Sequence, residues 1–505
     1  MAAAAPPDFA QLEEQHAELT RSLAAFDRAE TLAIIAGLLT LPQFHANTIR
    51  IEVLQNLVHR NAAGPNKPTR NRVAQWLNRG LGEGWAARME DPVEDVFISN
   101  VVSGVGNSRV FEGVWESNDF WLQEALNALR AFQAESWASD VLIQSFALLT
   151  LSEALAARCG LSRYCMGGGS VRMPLDLPNQ AELYARAALM WFSRRDLDAM
   201  GCSLDRLASF IHDNTPAEGG EGKSTLCRRP LIRDGDGVSI AIPAAISPAI
   251  RLRLVEALIQ AGALERYERV LFSQQINQLF NKGVRALGGK IVEQHRLPPL
   301  PEGTPAKVQE LVEFDSGKFA HIVFFEDSVL EFLKTGPNGI LDLAGAKGRE
   351  LHLHCERCAH EVATQPGYTG GLTIAVHGGL GRAFTYAAKD VPERWHPTGF
   401  RLPDCLALGR VRGTNLLQIW KLQQQDRELH ARGIRLINVN GELNLLGYWQ
   451  NNGERLVPRN APASGAMLHV ATDFIANVRH DLRSTYDLHA VARRNPRHLG
   501  SGAPL

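Results

Sequence analysis

The sequence predicts an α+β protein of several domains, helical in its first half and mixed α/β after about residue 285. Three observations lead to this fold class. The chain has 505 residues, which is too long for a single hydrophobic core. Its hydrophobic content of 45% lets each domain bury a core, and in the first half apolar residues recur at helical spacing. After residue 285, short runs typical of β-strands, bounded by turn residues, replace that spacing.

Composition and turn residues divide the chain into four segments. We expect a helical domain with a β-hairpin over 1–130, a helical region over 131–287, an α/β domain over 288–487 and a flexible tail over 488–505. Gly288 and Gly289 end the last helix before the α/β domain, and four prolines between residues 298 and 305 make a stiff connector.

The charge distribution and the apolar runs give expectations about the partners of the protein and its location in the cell. The net charge of −1 conceals a basic end, since residues 391–505 carry 15 Lys and Arg against 9 Asp and Glu, a net of +6 that would suit a polyanion. The N-terminus has no apolar core like that of a secretory signal, so we expect a cytoplasmic protein with reduced cysteines. The apolar runs Leu32–Leu41 and Val141–Ala157 predict buried helices, and no membrane partner.

The first 130 residues have the element order of a winged helix. Helices are predicted over 8–30, over Thr31–Leu41, from Thr48 and from the N-cap Thr69. They are followed by a predicted hairpin whose strands are Val96–Val102 and Arg109–Trp115.

The first 130 residues include candidate nucleic-acid contacts. Lys67, Arg70 and Arg72 would lie on or beside the last helix, where a winged helix meets a groove or phosphates. The hairpin opposes that role, because acidic side chains at positions 94, 95 and 112 would face the same polyanion. A packing or partner-binding role is therefore favoured for this domain.

Residues 267–330 carry a pattern of helix, strand, proline-rich link and β-hairpin that ends in Glu326-Asp-Ser328. This order resembles the nuclease-related domain of the PD-(D/E)xK superfamily. The resemblance implies a divalent cation held by Glu326, at the E of the E-x-K motif, and by an upstream acid, for which the candidates are Glu310, Glu313 and Asp315.

The motif is degraded in this chain. Ser328 stands where the lysine of E-x-K belongs, and amides at Gln275, Asn277 and Gln278 stand where the preceding helix often supplies an acid. The resemblance therefore implies an α/β domain of nuclease type that has lost cleavage. Large bacterial chains with such worn nuclease folds resemble components of antiphage defence.

From these observations the favoured function is a non-catalytic interaction or scaffold component of a bacterial multi-protein system. Its expected partners are other protein subunits, with weak nucleic-acid binding and no bound cofactor. One alternative is a Mg²⁺-dependent nuclease whose lysine comes from elsewhere, for example Lys318, Lys334 or Lys347. A zinc-stabilised binding module is the other.

The zinc alternative depends on a cluster of five metal-capable side chains between residues 352 and 360. Cys355 and Cys358 have the spacing that lets two thiolates share a tetrahedral ion, and His360 would add a nitrogen. A fourth ligand would have to come from Cys405 or His377. A strand is predicted over Glu350–Cys355, and its alternation would send His354 and Cys355 to opposite faces, so ordinary packing cysteines are favoured over zinc.

Overall fold

In the computed structural model the chain forms two compact units. The structure describes residues 9–80, 97–103, 106–113, 118–163, 165, 175–212, 225–292, 297–300, 306–325, 353–377, 398–401, 415–437, 442–456 and 467–469. Unit 1 comprises Met1–Leu122, Phe132–Gly262 and Leu333–Pro337, and unit 2 comprises Gln123–Ala131, Ala263–Phe332 and Asn338–Leu505. The segment boundaries expected from composition stay a prediction.

Unit 1 begins with helices, as the sequence predicts. These are α1 (Phe9–Leu23), α2 (Arg28–Leu38), α3 (Thr48–Asn61) and α4 (Arg70–Gln75). The side chain of Asp27 accepts a hydrogen bond from the backbone of Glu30, and that of Thr69 from the backbone of Arg72. Each oxygen satisfies a backbone N–H that the first helical turn leaves free. The cap at Asp27 explains why the helix expected over 8–30 ends at Leu23 and a second one starts at Arg28.

A β-hairpin follows, formed by the antiparallel strands β1 (Ile98–Ser103) and β2 (Gly106–Phe111). One sequence-based expectation about it is wrong. Glu112 does not face outward, because it is 2% exposed and accepts a hydrogen bond from the Ser99 hydroxyl. Residues 94 and 95 lie outside the described residues. The comparison with a winged helix stays a prediction.

The rest of unit 1 is helical apart from one small sheet. Its helices are α5 (Asn118–Leu129, shared with unit 2), α6 (Ser136–Arg158), α7 (Gln180–Leu189), α8 (Arg194–Ala199), α9 (Leu204–Leu207), α10 (Thr225–Arg228) and α11 (Ile246–Gln260). Its strands are β3 (Trp191–Phe192), β4 (Ile211–His212), β5 (Leu231–Asp234) and β6 (Gly237–Ile240), in the order β3-β6-β5-β4. Strands β5 and β6 pair as an antiparallel hairpin.

Among the described residues, α6 is the one helix long and apolar enough to cross a membrane. Half of its most apolar window is buried inside the fold, where the helix packs against α11 and β2. Glu153 on α6 forms an ion pair with Arg109 of β2 at 2.6 Å. Burial by itself would raise the pKa of the Glu153 carboxyl, but hydrogen bonds from Arg109 outweigh it and lower the pKa. These are the properties of a core helix, as the sequence predicts for this run.

Unit 2 combines helices with a mixed sheet. Its further helices are α12 (Leu264–Glu268), α13 (Asn277–Ala286), α14 (353–363), α15 (Leu416–Ala431) and α16 (Glu442–Asn451). Its strands are β7 (Lys290–Ile291), β8 (Ala306–Asp315), β9 (Lys318–Phe325), β10 (Gly370–His377), β11 (Thr398–Arg401), β12 (Arg435–Ile437) and β13 (Met467–His469).

The main sheet has the strand order β11-β10-β9-β8-β7. Strands β7, β8 and β9 are antiparallel neighbours, whereas β10 runs parallel to β9 and β11 parallel to β10. The predicted hairpin with its turn at Ser316–Gly317 is confirmed. Helix α14 lies between β9 and β10 in the chain, as a crossover between parallel strands requires.

Side chains alternate between the two faces of this sheet, and each face is covered by helices. On one face Phe324 of β9 meets Phe280 of α13, with 6.2 Å between ring centroids. On the other face Leu311 and Phe319 pack with Val362 of α14. Strands β8 and β9 are therefore packed between α13 and α14.

The sequence-based strand over Glu350–Cys355 is wrong from residue 353 onward, where the helix α14 begins. Cys355, Cys358 and Val362 are all buried, and their spacing of three and four residues places them on one side of a helix. Packing of that side against the sheet stabilises a helix here, although the local pattern of the preceding residues resembles a strand.

Candidate functional site

Two polar side chains lie in the middle of the otherwise apolar face that the hairpin β8–β9 presents to α14. His321 of β9 is fully buried, and Gln309 of β8 is partly buried. The pairing register sets Gln309 opposite Val323 and Leu311 opposite His321. Gln309 and His321 are therefore diagonal neighbours on one face, close enough for long side chains to meet. The Nε2 atom of His321 lies 3.2 Å from the Oε1 atom of Gln309.

Helix α14 brings two more polar side chains to the same place. His354 and Cys358 are four residues apart, so they project from the same side of the helix. Both are 0% exposed. The Sγ atom of Cys358 lies 3.4 Å from the Nε2 atom of His354. The helical spacing thus pairs one imidazole with one thiol above the centre of the hairpin.

The four side chains converge on one point, and we refer to Gln309, His321, His354 and Cys358 as the His/Cys cluster. The Oε1 atom of Gln309 lies 2.9 Å from Nε2 of His354 and 3.7 Å from Sγ of Cys358. The ligating atoms of the two histidines and the cysteine all lie within 4.8 Å of one another. The consecutive strands β8 and β9 and the more distant helix α14 supply this arrangement.

Burial favours the neutral forms of His354 and Cys358. Burial first, and then the nearby cation of Arg357, lower the pKa of His354. Burial also raises the pKa of the Cys358 thiol to about 12. None of the four side chains of the cluster is a carboxylate. The cluster therefore offers two imidazoles, a thiol and an amide oxygen, which differs from the acidic site of a Mg²⁺-dependent nuclease.

The residues named from the sequence as metal ligands are only partly brought together. Cys358 belongs to the cluster, whereas Cys355 packs into the apolar core with Val323 and Ala375. Burial raises the pKa of the Cys355 thiol. His360 is exposed, and its position five residues after Cys355 puts it on a different side of α14. The structure therefore separates Cys355 and His360 from Cys358.

The candidate catalytic acids lie elsewhere on the hairpin. Asp315 is next to the turn, where its Oδ2 lies 2.6 Å from Nζ of Lys318. Hydrogen bonds from Lys318 and from the Ser316 backbone lower the pKa of the Asp315 carboxyl. Glu313 pairs with Phe319 near the same turn and accepts a hydrogen bond from the Gly317 backbone at 3.4 Å. Glu326 lies outside the described residues.

The candidate nucleic-acid contacts of unit 1 have partners within the protein. Lys67 forms an ion pair with Glu30 at 2.7 Å and lies over the ring of Tyr184. Arg70 donates to the carbonyl oxygens of residues 177 and 178 and to the carboxylate of residue 176. Arg72 is exposed and donates to Gln75 at 2.7 Å.

Sequence reasoning missed Gln309 and His321 completely, and it included His354 in the metal-capable segment without a role. The separation of four residues between His354 and Cys358 is the one local signal that indicates a shared helix face. Gln309 lies 45 residues before His354, and that contact depends on a strand register that local patterns do not specify.

Taken together, these features define a two-unit α+β protein that holds a buried His/Cys cluster between a β-hairpin and a helix. Comparison with models of protein families gives a match. The family described as "Anti-phage protein Upx-like" matches residues 3–497 of the chain. The chain belongs to the Upx-like anti-phage protein family, and its role is in antiphage defence. No curated protein and no solved structure matches the chain significantly.

Proposed function

We propose that this protein acts in antiphage defence as a non-catalytic interaction component that does not itself cut nucleic acid. The observation that carries the proposal is the layout of the hairpin β8–β9, which the sequence resemblance aligns with the strands that hold the acids in PD-(D/E)xK nucleases. Carboxylates that share one cation must approach within a few ångströms of it. The described hairpin does not bring its acids to such a point.

The pairing register separates the candidate acids along the hairpin. Phe325, which precedes Glu326 in the chain, pairs with Ala306 at one end of β8, and Asp315 pairs with Lys318 at the other end. The ten residues of β8 span about 30 Å at the rise of an extended strand. Glu313 is only two residues from Asp315. Neither Glu313 nor Asp315 is thus favourably placed to share a cation with a carboxylate that follows Phe325. The third candidate, Glu310, pairs with Ile322 in the middle of the strands.

The centre of the hairpin supports the same conclusion, because it carries the His/Cys cluster. Gln309 and His321 occupy the buried face where two strands approach α14. Two imidazoles and a thiol, with a single amide oxygen beside them, do not offer the set of hard oxygen ligands that Mg²⁺ prefers. Together with Ser328 in place of the motif lysine, this favours a nuclease-like domain kept for binding to other protein subunits.

Phage challenge of bacteria that express the protein tests the proposal. The variant in which Glu326→Gln, Glu313→Gln and Asp315→Asn are combined should still protect as the wild type does. Loss of metal-bound carboxylates from an active nuclease removes several kcal/mol of transition-state stabilisation, which is roughly a thousandfold in rate. Loss of protection by the combined variant, at wild-type protein level and with wild-type thermal unfolding, would overturn the proposal.

Cleavage assays with the purified protein give the second readout. Plasmid DNA, linear DNA and RNA should remain intact in Mg²⁺ and in Mn²⁺. Cleavage that the Glu326→Gln variant abolishes would establish the nuclease alternative. The Glu361→Gln variant is the matched control, because Glu361 is an acid on α14 outside the His/Cys cluster.

A further inference from the structure

We propose that the His/Cys cluster is a zinc site, in which Nε2 of His321, Nε2 of His354 and Sγ of Cys358 bind one Zn²⁺ ion and Oε1 of Gln309 completes the tetrahedron. This site differs from the Cys-x-x-Cys site that the sequence suggests, because Cys355 and His360 take no part in it. The proposal is independent of whether the protein cleaves nucleic acid.

The distances within the cluster agree with a tetrahedral ion. Zn–N bonds of about 2.0–2.1 Å and a Zn–S bond of about 2.3 Å place a nitrogen and a sulfur ligand about 3.5 Å apart. Cys358 Sγ and His354 Nε2 are 3.4 Å apart, and Sγ is 3.7 Å from the Gln309 oxygen. That oxygen lies 2.9 and 3.2 Å from the two Nε2 atoms. These four distances between ligand atoms therefore lie within a few tenths of an ångström of those expected around a tetrahedral ion.

The hydrogen bonding supports a cation as well. Without an ion, both Nε2 atoms and the Cys358 thiol crowd the single Oε1 atom of Gln309, which has two lone pairs, and the thiol has Nε2 of His354 as its other contact. With Zn²⁺ at the centre, the same four atoms all turn a lone pair toward the ion. Cys358 then binds as the thiolate, and its proton passes to the solvent.

The identity of the ligands favours zinc over other common cations. Imidazole nitrogen and thiolate sulfur bind Zn²⁺ well, whereas Mg²⁺ and Ca²⁺ require carboxylate and carbonyl oxygen. The three N and S donors are fully buried, and the fourth position is taken by a protein oxygen. A closed site of this kind is structural, since catalytic zinc keeps a position for water. The ion would connect β8, β9 and α14.

A strand that continued through Cys355 would send His354 and Cys355 to opposite faces, which is why the sequence disfavours zinc. Because α14 begins at residue 353, His354 and Cys358 lie on the same helix face instead of alternating across a sheet. The remaining ligands come from the hairpin and not from the distant candidates Cys405 and His377.

Metal analysis of the full chain, purified without a metal-affinity tag, tests the proposal. We expect about one zinc per wild-type chain, and loss of most of it in the Cys358→Ser and His321→Ala variants. Cys355→Ser is the matched control, because it removes a buried thiol from the same helix but outside the cluster. His360→Gln is the exposed control. Both control variants should keep their zinc.

If a cluster variant does not fold, cobalt substitution of the wild-type protein tests the zinc site without that variant. A bound Co²⁺ ion should show the intense visible bands of a tetrahedral site and a thiolate-to-cobalt charge-transfer band, and both should persist in Cys355→Ser. Wild-type protein that contains no zinc and takes up neither ion would overturn the proposal. Zinc that survives in folded Cys358→Ser, or that is lost in folded Cys355→Ser, would overturn it too.

Discussion

At the scale of single residues, His59 links the stability of unit 1 to pH. It lies on α3, is 2% exposed, and makes edge-to-face ring contact with His212 at 4.5 Å between centroids. Burial first, and then the nearby charges of His212, Arg28 and Arg60, lower its pKa to about 3. The folded protein thus holds His59 neutral across the pH range in which the unfolded chain protonates it.

This shift predicts a loss of stability in mild acid. A group whose pKa is lower in the folded state stabilises the fold above its unfolded pKa of about 6.5, and that contribution is lost as the pH falls toward 3. From His59 alone the free energy of unfolding should fall by about 1.4 kcal/mol per pH unit within this window. Denaturant unfolding at about pH 7.5 and about pH 5 measures the change.

The His59→Gln variant isolates this contribution, because it removes the titrating group and keeps a polar side chain of similar size. Its free energy of unfolding should depend less steeply on pH than that of the wild type. Parallel pH profiles for the two proteins would contradict the assignment of the effect to His59.

At the scale of secondary-structure elements, sequence patterns predicted the helices of unit 1 and the hairpins well. Capping residues such as Thr69 and turn residues such as Ser316–Gly317 act locally, so their effect can be read from neighbouring positions. The error at α14 has the opposite cause. Its first residues alternate like a strand, and only packing of Cys355 and Val362 against the distant sheet decides for a helix.

The candidate site escaped prediction for the same reason. A histidine in the middle of an apolar strand, such as His321, is commonly a packed core residue when seen in isolation. Its partners are fixed by the register that sets Leu311 opposite His321 and by the crossover that places α14 above them. Neither the register nor the crossover is encoded by the spacing of neighbouring residues.

The turn of the hairpin β8–β9 gives a prediction at this scale. Gly317 has a φ of +70° and accepts a hydrogen bond from the Thr369 backbone at 2.7 Å. A Cβ atom at Gly317 would lie 2.0 Å from the carbonyl oxygen of Gly367. Gly367 itself has a φ of +76°, but a Cβ atom there would meet nothing within 4 Å. The two glycines thus share a left-handed backbone and differ in the space around them.

Gly317→Ala should therefore destabilise unit 2 more than Gly367→Ala does. Both variants pay about 1–2 kcal/mol for a Cβ atom in the left-handed region. Gly317→Ala should lose roughly 1–3 kcal/mol more, because a backbone oxygen must move. Thermal unfolding of the two variants beside the wild type measures the difference. Equal losses of stability in the two variants would mean that the backbone before β10 shifts at no cost in free energy.

At the scale of the whole molecule, the family match over residues 3–497 covers both units. The sequence predicted a defence component by resemblance to worn nucleases. The match confirms the role in defence, while the nuclease resemblance stays a prediction. The basic excess of +6 over residues 391–505 is the broad electrostatic property that would let such a chain meet nucleic acid.

We expect that nucleic-acid binding by the full chain is weak, salt-sensitive and indifferent to sequence. The basic excess is spread over 115 residues, and the contacts of Lys67 with Glu30 and of Arg70 with residues 176–178 compete with phosphate binding. Fluorescence anisotropy with unrelated labelled DNA and RNA should show affinity that falls roughly tenfold or more between about 50 and about 200 mM salt. Arg72→Ala, which removes an exposed cation from α4, should change this affinity little. Tight, sequence-selective binding at the higher salt, weakened by Arg72→Ala, would instead mean that α4 reads bases.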